Sequence, residues 1–347
     1  MRRFARACLA VLASTTLALA SGGVHAQLAS CARIADAAAR LACYDELARA
    51  ESGRAGDAAA PSATPARTAA AAAERLPTKA SVIEERWELR PEDKRGVFNL
   101  VAHRPIYGLV HWTSDANPQP FSATRPFDFT QAVELDRAEG KIQLSFKTKA
   151  LEGVGGTPGD LWLGYTQVSY WQVGNRRYST PFRETNYEPE ATLVFPTDLA
   201  WGGLRMRFLG LTLNHQSNGR GGSLSRSWNR LIGEAGAEYG PWSFHLRPWT
   251  RVFAPEGARN DNPDIEDYVG RGELAVTWRG RKNIVTATAR HSLQSGDRSH
   301  GSARLDWAFP LAGSLNAHLQ LFSGYGLNLI DYNHQQTTIG LGVSFFD

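Results

Sequence analysis

Beyond its first 20 residues the sequence has no apolar run that reaches the ~18 residues a membrane-spanning helix needs. It also lacks a strong charge of either sign. Lys and Arg number 38 against 34 Asp and Glu, a formal net charge of +4, which is too mild to argue for a nucleic-acid partner. Methionine is scarce at 2 of 347 residues, and cysteine at 3. The mean hydropathy of −0.34 suggests a water-soluble chain. That inference does not hold for one class of membrane protein: a transmembrane barrel alternates apolar and polar residues and is hydrophilic on average. Aromatic residues, by contrast, are plentiful, with 10 Trp, 10 Tyr and 15 Phe.

The N-terminus has the layout of a secretory signal. Arg2, Arg3 and Arg6 precede an apolar stretch from about Cys8 to Ala20, and Val24-His25-Ala26 offers a small-x-small cleavage site before Gln27. A lipoprotein site at Leu28-Ala29-Ser30-Cys31 is the competing possibility. Cleavage after residue 26 would remove Cys8 and leave Cys31 and Cys43, 12 positions apart. In an oxidising compartment these could close a disulfide on a small helical segment, or stand as two thiols. The sequence then divides into an Ala-rich helical segment over 27–50, an Ala/Pro-rich linker over 51–81 that cannot bury a core, and a third region over 82–347.

Within that third region a period of two dominates. Ile142, Leu144 and Phe146 alternate with Lys141, Gln143, Ser145 and Lys147; Leu305, Trp307 and Phe309 alternate with Arg304 and Asp306; Ile339, Leu341, Val343 and Phe345 alternate with Gly340, Gly342 and Ser344. Successive side chains of a strand point to opposite faces, so each segment has one apolar and one polar face. About twelve such segments lie between residues 97 and 347. A soluble β-sandwich would give the same alternation. The export signal, the recurrence of the segments to the chain's end and the charged polar faces favour an antiparallel transmembrane barrel with a hydrated interior. Trp162, Tyr239, Trp242, Trp249 and Phe346 are candidates for the aromatic girdles of such a barrel.

One segment carries candidate chemistry. Leu209, Leu211 and Leu213 share a strand face that continues through His215 and Ser217. Same-face neighbours are roughly 6.5–7 Å apart along a strand, close enough for an imidazole to serve a serine hydroxyl, which is a weak nucleophile without a base. If the next segment pairs as a hairpin, Asn229 joins the same outward face, where its amide oxygen could hold the imidazole's second nitrogen. Polar groups on a lipid-facing surface are costly and invite a functional explanation. His215 and Ser217 as a solvated strand end would be the bland alternative.

These residues sit in two blocks. One runs Tyr165-Thr166-Gln167-Val168-Ser169-Tyr170-Trp171-Gln172 and Ser179-Thr180-Pro181-Phe182-Arg183-Glu184-Thr185-Asn186-Tyr187-Glu188-Pro189. The other runs Asn214-His215-Gln216-Ser217-Asn218-Gly219-Arg220 and Ser225-Arg226-Ser227-Trp228-Asn229-Arg230. Shorter echoes are Asp261-Asn262-Pro263-Asp264-Ile265 and Ser323-Gly324-Tyr325-Gly326. Together they resemble the bacterial outer membrane phospholipase A family over roughly residues 97–347. The resemblance implies a twelve-stranded outer-membrane barrel, active as a calcium-dependent homodimer on phospholipid esters, with its N-terminal segment periplasmic. It implies Ser217 as nucleophile, His215 as general base and acid, Asn229 as orienter of His215, and the Gly219 N–H as oxyanion donor. Calcium (Ca2+) would be held by the Ser225 hydroxyl, the Arg220 carbonyl and Ser179 of the partner subunit. Gln167 would lie in the dimer interface. The pattern departs at Gly221-Gly222-Ser223, where family members often carry an acidic residue. A passive porin or transporter would share the alternation but has no use for His215, Ser217 and Asn229 on one outward face.

Overall fold

The computed structural model describes residues 31–54, 81–125, 134–177 and 182–345. The expected signal sequence over 1–26, the stretch 55–80, Ser179 and Phe346 lie outside the described residues. The chain divides into two units, 1–74 and 75–347. In the first, the side chain of Asp36 accepts from the N–H of Ala39 at 2.8 Å and so caps helix α1 (Ala37–Arg54). Cys31 is bonded to Cys43, with Cα atoms 5.7 Å apart. The helix runs past residue 50 to Arg54, through Ala, Arg and Glu, which are good helix formers.

The second unit is a closed antiparallel barrel. Its strands are β1 (Leu100–Ala102), β2 (Ile106–Thr113), β3 (Ala138–Leu151), β4 (Asp160–Trp171), β5 (Glu184–Trp201), β6 (Leu204–Ser217), β7 (Ser227–Tyr239), β8 (Trp242–Val252), β9 (Gly272–Arg279), β10 (Ile284–His291), β11 (Gly301–Ala312), β12 (Leu315–Gly324) and β13 (Gln336–Phe345). Each of β2 to β13 pairs with its sequence neighbours, and β13 returns to β2, which leaves no free edge. The short β1 continues the line of β2 along β3: Val101 faces Lys147, and Tyr107 faces Gln143. The break falls at Pro105, which has no N–H to give the ladder. Ser145 Oγ accepts the neighbouring Arg104 N–H at 3.1 Å, and Gln143 donates to the Pro105 carbonyl at 2.8 Å.

The alternation resolves into an inside-out molecule. Lys141, Gln143, Ser145, Lys147 and Lys149 are all buried in the barrel, while Leu209, Leu211 and Leu213 are 46–49 % exposed on its outer wall. A soluble protein has no reason to show that arrangement; lipid removes the penalty. The interior is ionic and densely paired. Arg104 reaches Glu188 and Glu190 at 3.2 Å each, Arg230 reaches Glu188 at 2.9 Å, and Arg247 reaches Glu234 at 3.3 Å.

The two ends differ. Turns such as Gly202-Gly203 and Gly313-Ser314 are short at one end; the connections at the other end, such as 253–271, are long, the pattern of periplasmic turns and external loops. At the short-turn end, helix α2 (Val82–Trp87) is capped by Ser81 Oγ. Its Ile83 and Trp87 pack on Trp162, Val194 and Phe208 inside the barrel. At the loop end, Trp228, Ile232, Trp249, Ile265, Val269, Leu329 and Tyr332 form a second apolar cluster. Two girdle expectations are therefore corrected. Trp162 and Trp249 point inward and close the two ends, because their positions have inward parity in the pleat; Tyr239 and Trp242 point outward and are exposed.

Candidate active site

Strands β5, β6 and β7 lie side by side, and their register assembles the site. At the loop end, Tyr187 pairs with Ser217 and Ser217 with Ser227; one step down the wall, His215 stands directly opposite Asn229. Directly opposed side chains in an antiparallel pair are the closest cross-strand neighbours. Here the contact is made: His215 Nδ1 and Asn229 Oδ1 are 2.8 Å apart. With an amide oxygen as the acceptor, Nδ1 carries the proton and Nε2 keeps its lone pair. The imidazole is exposed on the outer wall, directly above Leu209, Leu211 and Leu213 on the same face. Ser217 follows on that face, half-buried, and its hydroxyl enters no hydrogen bond among the described residues. The wall here presents an unengaged serine hydroxyl and an oriented imidazole to lipid.

Past Ser217 the chain turns at Gly219. Its φ of +64° is a left-handed conformation, and a Cβ there would stand 3.1 Å from the Tyr187 ring, so both backbone and space call for glycine. Gly222, in the position where an acid was expected, also has a positive φ, of +66°. A carboxylate nevertheless reaches the site. Asp261, from the segment between β8 and β9, accepts from Ser225 Oγ at 2.7 Å and from Ser227 Oγ at 3.4 Å, and pairs with Arg125 at 3.0 Å. The neighbouring Asn262 accepts the Ser227 N–H at 3.0 Å. Sequence reasoning quoted the Asp261-Asn262-Pro263 stretch but gave it no role, because nothing in the order of residues shows that it folds back onto Ser225.

Gln167 lies on the outer face of β4, in register with Tyr187 of β5. It belongs to a polar stripe: Tyr165 donates to its Oε1 at 3.0 Å, it donates to Ser169 Oγ at 3.2 Å, and Thr185 donates to the same oxygen at 3.1 Å. Through the register Gln167–Tyr187–Ser217 this stripe runs into the face that carries His215 and Ser217. Behind it, inside the barrel, Arg183 binds both Glu139 and Asp331, and Glu184 binds Arg220 at 3.3 Å.

Residues 83–345 match the family model for phospholipase A1. Phospholipase A1 of Klebsiella pneumoniae is 38% identical over 256 residues, which cover 74% of this chain and 85% of that one. The solved outer membrane phospholipase A of Escherichia coli superposes with a TM-score of 0.65 at 35% identity, over 75% of this chain and 95% of that one. A Salmonella typhi outer membrane phospholipase, solved as a dimer with bound calcium, superposes with a TM-score of 0.66 at 33% identity, over 77% and 98%. The chain belongs to the phospholipase A1 family and is a β-barrel of the bacterial outer membrane.

Proposed function

We propose that this protein hydrolyses the acyl ester bonds of phospholipids, at either glycerol position and on lysophospholipids, with Ser217, His215 and Asn229 as its triad. The observation that carries the reading is the 2.8 Å contact between His215 Nδ1 and Asn229 Oδ1 on the outer, lipid-facing wall, with Ser217 on the same face. That wall is where the ester bonds of a bilayer lipid lie within reach of a hydroxyl at the end of a strand. Ser217 Oγ attacks the ester carbonyl and His215 Nε2 takes its proton. Negative charge on the carbonyl oxygen is met by the Gly219 N–H. As the tetrahedral adduct collapses, His215 returns the proton to the leaving glycerol oxygen and the lysophospholipid departs. Water then attacks the acyl-serine with His215 as base, and free fatty acid leaves. Asn229 keeps the imidazole in the tautomer that both half-reactions need. An amide suffices for this and avoids placing a full negative charge against lipid.

The residues around Ser225 suit calcium better than a softer metal. They offer a hydroxyl from Ser225, the Arg220 carbonyl and the carboxylate of Asp261, all hard oxygen donors. Among the described residues no cluster of three or more His, Cys, Asp or Glu side chains could hold a metal. Such a site needs further oxygens from water or from Ser179 of the partner subunit, and a dimer would supply the latter. When bound, calcium would add positive charge beside the developing oxyanion. Gln167, in its polar stripe beside Tyr187, is suited to a second copy because an amide on a lipid-exposed wall gains from a partner amide.

Phospholipid hydrolysis in detergent micelles tests this, comparing the wild type with Ser217→Ala, each with and without a calcium chelator. The triad predicts a loss on the order of 10^4-fold or more in the variant, and a wild-type activity that the chelator removes. Full activity in Ser217→Ala would reject the mechanism; activity indifferent to the chelator would reject the calcium assignment.

A further inference from the structure

The Gly219 N–H, the Arg220 carbonyl and the Ser225 hydroxyl just proposed all belong to one stretch, residues 218–226, that joins β6 to β7. Loops at barrel ends are mobile by default, yet a site of this kind needs its donors held to within about half an ångström. One side chain spans the whole stretch. Asn218 is buried, at 4% exposure, and follows the nucleophile directly. Its Oδ1 accepts from the N–H of Arg226 at 3.0 Å and from that of Arg220 at 3.3 Å; its Nδ2 donates to the Leu224 carbonyl at 2.8 Å.

The placement matters as much as the number of bonds. The β6–β7 ladder ends at Ser217 opposite Ser227, and the next pair would be Asn218 with Arg226. Half of that pair forms: the Asn218 N–H donates to the Arg226 carbonyl at 3.1 Å. The returning bond from the Arg226 N–H goes to the Asn218 side chain instead of its backbone. The amide stands in for the peptide carbonyl, so the backbone is released from the ladder one residue early. It can then turn at Gly219 into its left-handed conformation. The same oxygen fixes the peptide of Arg220, and the opposite end of the amide fixes the peptide just before Ser225. Arg226, fully buried, completes the frame from behind, with Nη1 donating to the Ser223 and Ser225 carbonyls at 2.9 and 2.8 Å. Aspartate would not serve at 218. It could accept the two N–H groups, but it has no hydrogen for the Leu224 carbonyl, and it would face the buried Glu184, whose Oε2 stands 3.4 Å from Nδ2.

We propose that Asn218 is a positioning residue that makes the Gly219 N–H, the Arg220 carbonyl and the Ser225 hydroxyl one rigid unit, so that calcium binding and oxyanion stabilisation depend on a single amide. This rests on the function proposed above. It places Asn218 outside the group that touches substrate: its effect passes through the loop.

The test uses the full protein in detergent micelles, with folding checked by the heat-dependent gel mobility of the barrel. Three quantities are compared between wild type, Asn218→Ala and Asn218→Ser. These are amide hydrogen exchange of 218–226 without calcium, calcium affinity by calorimetry, and kcat with KM on a micellar phospholipid. In Asn218→Ala the loop should exchange faster while β6 and β7 keep wild-type protection. The calcium Kd should rise by about tenfold or more, as for other groups that hold ligands in place, and kcat at saturating calcium should fall with KM little changed. Asn218→Ser retains an acceptor for a nearby N–H but lacks the reach to Leu224; it should fall between the two, and carries the test if the alanine variant does not fold. Wild-type calcium affinity and kcat in both variants would overturn the proposal while leaving the proposed function intact. A wild type that binds no calcium, or that keeps its activity as Ser217→Ala, would overturn both.

Discussion

Five histidines of the barrel wall are each held by a side chain from another part of the wall, and they divide by the side they face. Inside, His103 pairs with Glu190 at 2.5 Å, His111 with Glu139 at 3.3 Å, His245 with Glu234 at 2.8 Å and His318 with Asp306 at 3.0 Å. Outside, His215 pairs with the neutral Asn229. The interior can afford carboxylates because arginines surround them: Glu190 also meets Arg104 and Arg247. Around His215 the outer wall carries the exposed Leu209, Leu211, Leu213 and Leu231 and faces lipid, where an ionised acid is costly. The same strands therefore carry two kinds of polar chemistry, an ionic lattice that holds the barrel shut and a neutral pair that leaves an imidazole nitrogen free for work.

That contrast can be broken from either side. The largest effect on stability belongs to the lattice. Glu188→Ala leaves the buried Arg230 and the half-buried Arg104 without that partner, and removal of one member of a buried ion pair typically costs about 3–5 kcal/mol; urea unfolding in micelles should show a loss of that size, with kcat per folded molecule nearly unchanged. Asn229→Ala should do the reverse, lowering kcat by about tenfold to a hundredfold, part of what a general base contributes, with unfolding unaltered. Asn229→Asp sharpens the point: it restores a base-orienting group but sets a charge against lipid, so activity should survive in part while the barrel loses stability in bilayers. An unchanged stability there would mean that the outer wall tolerates charge and that the neutral pair has another cause.

Smaller effects probe the edge of the site. Gly219→Ala forces a side chain into a left-handed backbone and against the Tyr187 ring, at a cost of about 1 kcal/mol or more, and should depress kcat more than KM. Gln167→Ala removes one amide from the outer stripe and should weaken the proposed self-association by about 1 kcal/mol, read by chemical crosslinking in micelles as a modest fall in the dimer fraction.

The fold was legible because lipid outside and water or ion pairs inside enforce a strict period of two, which Ile142, Leu144 and Phe146 on one parity and Lys141, Gln143 and Ser145 on the other display directly. The placement of the proposed triad was legible for the same reason: parity puts His215 and Ser217 on one face, and a hairpin pairing adds Asn229 to it. What was hidden depends on contacts distant in sequence. Asp261 meets Ser225 across 36 residues and Arg104 meets Glu188 across 84, and no local pattern encodes either. The inward turn of Trp162 and Trp249 was hidden differently. Aromatic residues near strand ends suit a girdle, but parity overrides composition, and the apolar clusters that close the barrel claimed these two.

The most direct test is to find which hydroxyl reacts from the lipid side. The protein embedded in phospholipid vesicles is treated with a long-chain alkyl sulfonyl fluoride, and the adduct is mapped by mass spectrometry. The account predicts sulfonylation of Ser217, with loss of fluoride, and its disappearance in His215→Ala. An adduct on a serine elsewhere, or labelling of Ser217 that persists without His215, would contradict it.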